Sequence, residues 1–558
     1  MINYKRGLIL GVVTALFVVL SFEPFNIFPL IFIAYVPLMF IVFNEKSTCK
    51  VLLYSWFSMF CVGMLGFQWI YRTAVNFGEL PWWAAFLILI GFSVFVNYKF
   101  QVFSMLFCLV RKILKIDTGH SDAETAVDKT SWALFLYFIV PGLFVIAEIL
   151  DPNIFTWYSG NILIKSKYLV QFAEVFGVLG LSLIVLVINV CMYNIAKDLY
   201  LSRKFVNTMT APIIIVAVSI AFLATYSVVA VNKYEKLEAS CPSINAAVIQ
   251  ANIGNAVKLE VGKAMKLRKE LGNSVSSTDS LILKKYEAMS RLAAVHTPAP
   301  DLIVWPETAF PGDYIPMSSL TREHRALVKE LSIPFMLGGY FSEYKRDAKD
   351  QRSQYHYYNS TIFSPPNGDV FLYHKYILLP FGEYMPLGRT FPVLKDIVPA
   401  VSDFSRGGGA SVISATLNGL DVRFAPTICY EILIQSYVRE MILMDANILL
   451  NVTNDSWFGQ MEPYQHLGIS RIRAVETRRP ILRSTNTGIT AMVNINGEVI
   501  NPSKAGDEEI LYYKVPVCDH RIRTFYVMYG YLFPYILVLS VAATIILLRR
   551  RQRRENRS

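Results

Sequence analysis

The sequence predicts a two-part molecule: an eight-span helical membrane bundle joined to an α/β layered domain held outside the cytoplasm. Hydrophobic residues fill 54% of the 558 positions and the mean hydropathy is +0.40, too apolar for an ordinary soluble protein and too long for one domain. Basic residues collect in alternate loops between the apolar runs, which gives the bundle a direction. Between the seventh and eighth runs lies a long stretch of mixed polarity, in which short strand-like segments alternate with helical ones.

Apolar runs able to cross a hydrocarbon core of roughly 30 Å fall at about 7–22, 26–43, 51–70, 82–104, 132–150, 171–194, 211–232 and 526–548. The first is the shortest. No small-residue cleavage site follows it, so it is read as a retained helix and not a removable signal. An inside N-terminus puts Lys5, Arg6, Lys46, Lys50, Arg111, Lys112, Lys115, Lys129, Lys197, Arg203, Lys204 and the tail RRRQRRENRS on the cytoplasmic side. The short outer loops keep only Arg72, Lys165 and Lys167. The cytoplasmic segments hold 17 Lys or Arg against 7 Asp or Glu, about +10 of the formal +11. Topology thus accounts for the pI of about 9.1, and no nucleic-acid partner is called for. With both ends inside, segment 234–525 lies outside.

That segment carries the apolar runs NAAVIQ, LIVW, PFMLGG, VRFAPTI, ANILLNV and GITAMVNI, interleaved with helical stretches such as STDSLILKKYEAMSRLAAV and YQHLGISRIRAVETRR. Buried-type strands alternating with helices predict an α/β layered domain. Strand pairs near 357–374 and 489–500, the second turned through NINGEV, read as hairpins. The polar loop 111–131 has no readable chemistry. FGELPWW (77–83) and DPNIFTWYSG (151–160) sit at outer interface positions, where an ordinary aromatic belt competes with a role in guiding lipid.

The stretch RFAPTICYEI (423–432) raises the chemical question, because its cysteine has no second cysteine nearby. Of the seven cysteines, Cys49, Cys61, Cys108 and Cys191 fall in or beside spans, and Cys241, Cys429 and Cys518 fall in the outer domain. None has CxxC or Cys/His ligand spacing, so no metal is expected. Cys241 and Cys518 sit at the two necks of the domain, where an oxidising exterior favours pairing. Cys429 is left alone, either as an inert core thiol or as a nucleophile. A strand ending at Ile428 and a helix opening with Tyr430 and Glu431 would set its sulfur at an elbow, where a helix N-terminus favours thiolate and backbone N–H groups can receive an oxyanion.

A thiol nucleophile needs a proton acceptor and a cation to balance the intermediate. LIVWPETAFPG places Glu307 just beyond a strand end, where ligands meet α/β sheets. YHKYILLPFGEYMP offers Lys375 and Glu383. Taken singly, a cap, a solvated lysine and a surface loop acid are the ordinary readings of these three.

In order, VWPETAFP, HKYILLPFGEYMP and PTICYE resemble the Glu–Lys–Cys set of the nitrilase superfamily. With eight spans, and with NVTNDSWFG, PYQHL and RAVETRRPILRSTNTG, nearly the whole chain resembles that superfamily's membrane-embedded branch, the apolipoprotein N-acyltransferase family. The resemblance implies an αββα sandwich at 234–525, a seven-helix membrane domain at 1–233, and an eighth helix with a basic tail at 526–558. It implies a bacterial inner-membrane enzyme with a periplasmic catalytic domain and cytoplasmic termini, monomeric and without cofactor or metal. The expected acyl donor is a phospholipid, and the acceptor is the α-amine of a diacylated apolipoprotein in the same bilayer.

Residue by residue, it implies Glu307 as general base, Lys375 as charge stabiliser and Cys429 as nucleophile. Glu383 would orient Lys375 or the incoming amine, with Tyr430 and Glu431 flanking the sulfur. Trp457 and Phe458 are read either as a lid dipping toward lipid or as part of a packed strand-to-helix loop. This chain has Leu259 where the family pattern has Trp. Two other functions compete: a membrane-tethered nitrilase-type amidase acting on a soluble substrate, and a catalytically dead lipid-binding scaffold. More spans than tethering requires disfavour the first, and the complete Glu/Lys/Cys set disfavours the second.

Overall fold

The computed structural model describes residues 2–76, 78, 80–95, 98–116, 128–151, 154–202, 207–254, 277–346, 353–388, 390–391, 402–455 and 462–555. Trp457, Phe458 and Leu259 lie outside the described residues. The chain divides into two compact units, one of Met1–Val75, Leu80–Asn232 and Thr524–Ser558, the other of Asn76–Glu79 and Lys233–Arg523.

Seven helical segments among the described residues are long and apolar enough to cross a membrane: Tyr4–Ser21, Thr48–Gly66, Trp82–Ile113, Lys129–Leu150, Ala173–Ser202, Asn207–Ser240 and Gly530–Glu555. The second expected span is different. Residues 26–43 do not form one long helix; they form a 3-10 turn, Phe28–Phe32, and a nine-residue helix, Val36–Asn44. Pro29 and Pro37 each stand in the first turn of their piece, where a missing N–H costs nothing, and so split the run in two. The freed backbone is satisfied by Asn189, whose Oδ1 accepts from the Tyr35 N–H at 2.9 Å and whose Nδ2 donates to the Ile31 carbonyl at 2.8 Å. The first expected span, the shortest by sequence, is an unbroken 18-residue helix.

Two six-stranded sheets build the second unit. One runs β12-β1-β2-β3-β4-β5 and the other β11-β10-β9-β8-β7-β6. Their strands are β1 (Ser243–Gln250), β2 (Leu302–Val304), β3 (Phe335–Arg346), β4 (Ser353–Ser364), β5 (Phe371–His374), β6 (Ile413–Leu417), β7 (Leu420–Ile428), β8 (Ile448–Thr453), β9 (Ile481–Thr485), β10 (Ala491–Val493), β11 (Val499–Ile500) and β12 (Glu509–Pro516). Each sheet has three parallel strands at its centre, β1-β2-β3 or β7-β8-β9, and antiparallel strands outside them. Parallel strands are covered on both faces, so β8 and β9 are buried at every position. The expected hairpins appear as β4–β5 and β10–β11.

Helices Ser277–Ala294 and Ser319–Leu331 cover the first sheet, and Leu283, Tyr286, Leu327 and Val328 join Ile249, Trp305, Phe335 and Leu337 in one core. Helices Gln435–Leu443 and Glu462–Thr477 cover the second. Between the sheets, Gln250 Oε1 on β1 accepts from the hydroxyls of Thr485, Thr490 and Ser503. The layers are therefore αββα.

Cys241 and Cys518 form a disulfide with their Cα atoms 5.1 Å apart, two residues beyond the paired residues Ser243 and Pro516 of β1 and β12. The bridge closes a sequence separation of 277 residues, worth up to about 5 kcal/mol in a chain-entropy account. Replacing both cysteines by alanine should lower the thermal midpoint and leave the fold intact at low temperature. Peptide mapping without reductant should recover the two halves linked, and two free thiols there would contradict the bridge.

Candidate active site

Glu307, Lys375 and Cys429 each follow the C-terminal end of a strand, β2, β5 and β7 respectively, and all three are buried. The crevice beyond strand ends is where α/β sheets place ligands.

Glu307 reaches its place through a close backbone crossing. A Cβ on Gly338 would meet the Glu307 Cα at 2.5 Å and the Pro306 carbonyl at 2.6 Å, so only glycine lets β3 pass there. The Glu307 carboxylate then accepts from Asn359 Nδ2 at 2.7 Å and from the Asn454 N–H at 2.8 Å. Asn454 follows β8, so one carboxylate ties the ends of the two sheets together.

Lys375 lies 3.7 Å from Glu307 Oε1 and donates to Glu383 Oε1 at 2.8 Å. The Asn359 amide bridges the two acids, also donating to Glu383 Oε1 at 3.0 Å, while its backbone carbonyl accepts from the Lys375 N–H at 2.8 Å. The second Glu383 oxygen accepts from the Leu379 N–H at 2.9 Å, which closes the loop on itself. Burial alone would pull the lysine down, but the carboxylates of Glu383 and Glu307 outweigh it and hold Lys375 above the ordinary lysine range. Burial, with Glu383 nearby, pushes Glu307 above the ordinary carboxylate range, against the pull of Lys375. A carboxyl raised in this way is a stronger base than an ordinary one and can both take and return a proton.

Cys429 sits at φ +51°, a left-handed backbone conformation that costs a non-glycine residue on the order of 1–3 kcal/mol. It opens the 3-10 turn Cys429–Leu433. The expected thiolate is not favoured here. Burial first, then the charge of Glu307, pushes the thiol well above its ordinary range, and Lys375 only partly opposes them. A five-residue 3-10 turn supplies too little dipole to reverse this, so the sulfur rests protonated and depends on a base.

Glu431 does more than flank the sulfur. Its Oε2 accepts from the Ile428 N–H at 2.8 Å and the Tyr373 hydroxyl at 2.8 Å, and its Oε1 from the Tyr376 and Ile377 N–H groups at 2.8 and 3.0 Å. One carboxylate thus pins the cysteine elbow to the lysine loop, although burial pushes it up to about 7. Tyr430 is buried beside the sulfur, and burial pushes its phenol up to about 12.

Sequence reasoning gave no role to Asn359, Asn451, Asn454, Asp455, His466 or Arg483. Their signal is polarity where a buried strand or helix face should be apolar, as in ANILLNVTND. Among the described residues, Asp455, Glu462 and His466 bring metal-type donor atoms within 4.8 Å of one another. The Arg483 guanidinium already fills the cation's part, donating to Asp455 Oδ2 at 2.8 Å and lying 3.3 Å from His466 Nδ1.

These charges make opposite predictions for two reactions of one sulfur. Glu307→Gln removes a charge that raises the thiol, so Cys429 should alkylate with iodoacetamide faster between pH 8 and 9. Lys375→Met removes one that lowers it, so alkylation should slow. Both should impair attack on an ester. Mass-spectrometric mapping separates Cys429 from Cys49, Cys61, Cys108 and Cys191, and equal alkylation in all three proteins would contradict the electrostatic account.

Comparison with known proteins places this geometry. Residues 245–520 match the carbon-nitrogen hydrolase family model, and residues 14–191 match the model of the apolipoprotein N-acyltransferase N-terminal domain. The chain is 33% identical to an apolipoprotein N-acyltransferase of Bdellovibrio bacteriovorus over 96% of its own length and 92% of that protein. It is 26% identical to one of Geobacter metallireducens over 98% and 96% of the two chains. The nitrilase-like sandwich, the apolar helices and full-length similarity above 30% identity lead to one assignment: the chain belongs to the apolipoprotein N-acyltransferase family.

Proposed function

We propose that Cys429, Glu307 and Lys375 carry the N-acylation of lipoproteins through a thioester on Cys429. The enzyme is an acyltransferase of the membrane, acting on a lipid donor and a lipoprotein acceptor. The observation that supports these residue roles is the buried meeting of a protonated thiol, a carboxylate of raised pKa and a lysine held cationic by two acids.

In the first half-reaction, Glu307 takes the thiol proton as the sulfur attacks the ester carbonyl carbon of a phospholipid. Lys375 balances the tetrahedral oxyanion. The C–O bond breaks, Glu307 returns the proton to the departing alkoxide, and lysophospholipid leaves a thioester behind. In the second, the α-amine of an S-diacylglyceryl cysteine attacks the thioester carbonyl and gives its proton to Glu307. The C–S bond breaks, the proton passes to the sulfur, and an amide and a free thiol result. Ester to thioester is nearly balanced and thioester to amide runs downhill, so the second step draws the first forward.

Glu383 keeps Lys375 aimed at the reacting carbon, and Glu431 keeps the lysine and cysteine segments together. The catalytic unit faces the periplasm with both termini cytoplasmic, a reading supported by the basic bias of one set of loops. Residues 1–233 and 526–558 serve as the membrane domain and supply lipid access, and 234–525 performs the chemistry.

Full-length protein given labelled phospholipid should form a hydroxylamine-sensitive acyl adduct on Cys429. Cys429→Ala should abolish it, and Glu307→Gln and Lys375→Met should each slow acylation by about 10²-fold or more. Full turnover by Cys429→Ala would reject the nucleophile. With a diacylglyceryl-cysteine peptide added, N-acyl peptide and lysophospholipid should appear in matched amounts. Free fatty acid without acylated peptide would instead identify a tethered hydrolase.

A further inference from the structure

Against the backbone carbonyl of Cys429 lies a buried polar cluster that the two half-reactions do not use. The backbone carbonyl of Cys429 receives two donors, Asn451 Nδ2 at 3.3 Å and His466 Nε2 at 3.2 Å. Both donors are held from behind by one cation. Arg483 donates through Nη1 to Asn451 Oδ1 at 2.5 Å and through Nη2 to Asp455 Oδ2 at 2.8 Å, and Nη2 stands 3.3 Å from His466 Nδ1. Asp455 Oδ1 lies 3.2 Å from His466 Nδ1 and also accepts from the Thr453 hydroxyl at 3.2 Å. Asn451, Asp455, His466 and Arg483 are all buried. A Cβ at Gly488 would collide with the Asp455 carboxylate, so the chain keeps a glycine where this cluster needs room.

We infer that His466 is a positioning residue for the nucleophile: anchored by Arg483, which Asp455 holds in turn, it grips the Cys429 carbonyl and so fixes the left-handed turn that aims the sulfur. The inference rests on the reading of Cys429 as the nucleophile.

A non-glycine residue at φ +51° does not hold that conformation by its own preference. Something must hold it, and among the described residues its carbonyl is met by side-chain donors from β8 and from helix Glu462–Thr477. Burial and the Arg483 charge keep His466 below the ordinary histidine range, so at neutral pH it is uncharged. Its single proton then belongs on Nε2, facing the Cys429 carbonyl, and Nδ1 faces the Arg483 donor. Arg483 carries the compensating charge for Asp455, whose carboxyl stays ionised down to about pH 2 despite burial. Glu462, 3.6 Å from His466 Nδ1, is pushed well above the carboxylate range by burial and by Asp455. A cluster of this kind, every member answering another, is rigid because any one loss strands a buried polar group. Rigidity matters here because a small displacement of the attacking atom is costly in rate.

The test uses two variants of the full-length enzyme that differ by one methylene. His466→Gln carries an amide N–H to about the position of Nε2, and His466→Asn stops short of it. Single-turnover acylation of Cys429 by labelled phospholipid should fall about 10- to 100-fold in His466→Asn and remain within about 5-fold of wild type in His466→Gln, with the phospholipid KM unchanged in both. Thermal unfolding of both variants, run alongside, removes loss of fold as the cause, and the Gln–Asn contrast decides the matter even where a harsher His466→Leu does not fold. Wild-type acylation in folded His466→Asn would overturn the inference, as would equal losses in the two variants. Cys429→Ala distinguishes the underlying reading: an acyl adduct or turnover in that variant would reject the nucleophile itself, whatever His466 does.

Discussion

The Glu431 carboxylate is the constraint on which the rest of the site depends. Lys375 and Cys429 are 54 residues apart and stand on different sheets, so no strand register relates them. Four hydrogen bonds to one carboxylate do: two oxygens receive the elbow's Ile428 N–H, the lysine loop's Tyr376 and Ile377 N–H groups, and the Tyr373 hydroxyl. A glutamine could offer only one accepting oxygen, which would leave buried donors stranded at about 1–3 kcal/mol each. The same tie explains why Glu431 tolerates burial. Its four donors offset part of its desolvation, and burial still wins.

Charge balance is the second layer. Taking Lys375 out of water costs several kcal/mol, and two carboxylates at 2.8 and 3.7 Å meet that cost only if both remain where they are. Asn359 is the spacer that ensures it, with its amide on both acids and its carbonyl on the lysine's own backbone. Glu383 takes the short contact, which leaves Glu307 less tightly paired and free to exchange a proton. Two acids of the same chemistry are thus driven to different tasks by about an ångström of distance.

How much of this was legible in the sequence follows from how local each signal is. The strands of the parallel centres were readable because full burial makes them continuously apolar, whereas Glu307, Lys375 and Cys429 each had an ordinary structural reading and gained roles only from the resemblance of their ordered motifs to a known family. The break at Pro29 and Pro37 was obscured because hydropathy averages over a window and does not weigh backbone donors, and because its remedy, Asn189, is 154 residues from Tyr35. Asn359 was invisible for a related reason: it lies within a long strand, 52 residues from the carboxylate it holds. The thiolate expectation failed because position at a helix start says nothing of burial, and burial decided the sulfur's charge.

That protonated resting sulfur suits the environment proposed for it. Outside the cytoplasm thiols meet oxidants, and the thiolate is the form that reacts with them. The second unit has three cysteines; two are paired with each other, and the third is held neutral by burial first and then by the charge of Glu307, the base proposed for it. In the mechanism we propose, Glu307 therefore acts twice on the same group. Its charge suppresses the free thiolate while the site is empty, and its basicity releases the thiolate when a carbonyl arrives to accept the negative charge beside Lys375. A thiol activated in advance by a nearby cation alone would react faster with small electrophiles and last less long in an oxidising compartment. Reactivity is coupled to substrate because the base, and not a standing low pKa, controls it.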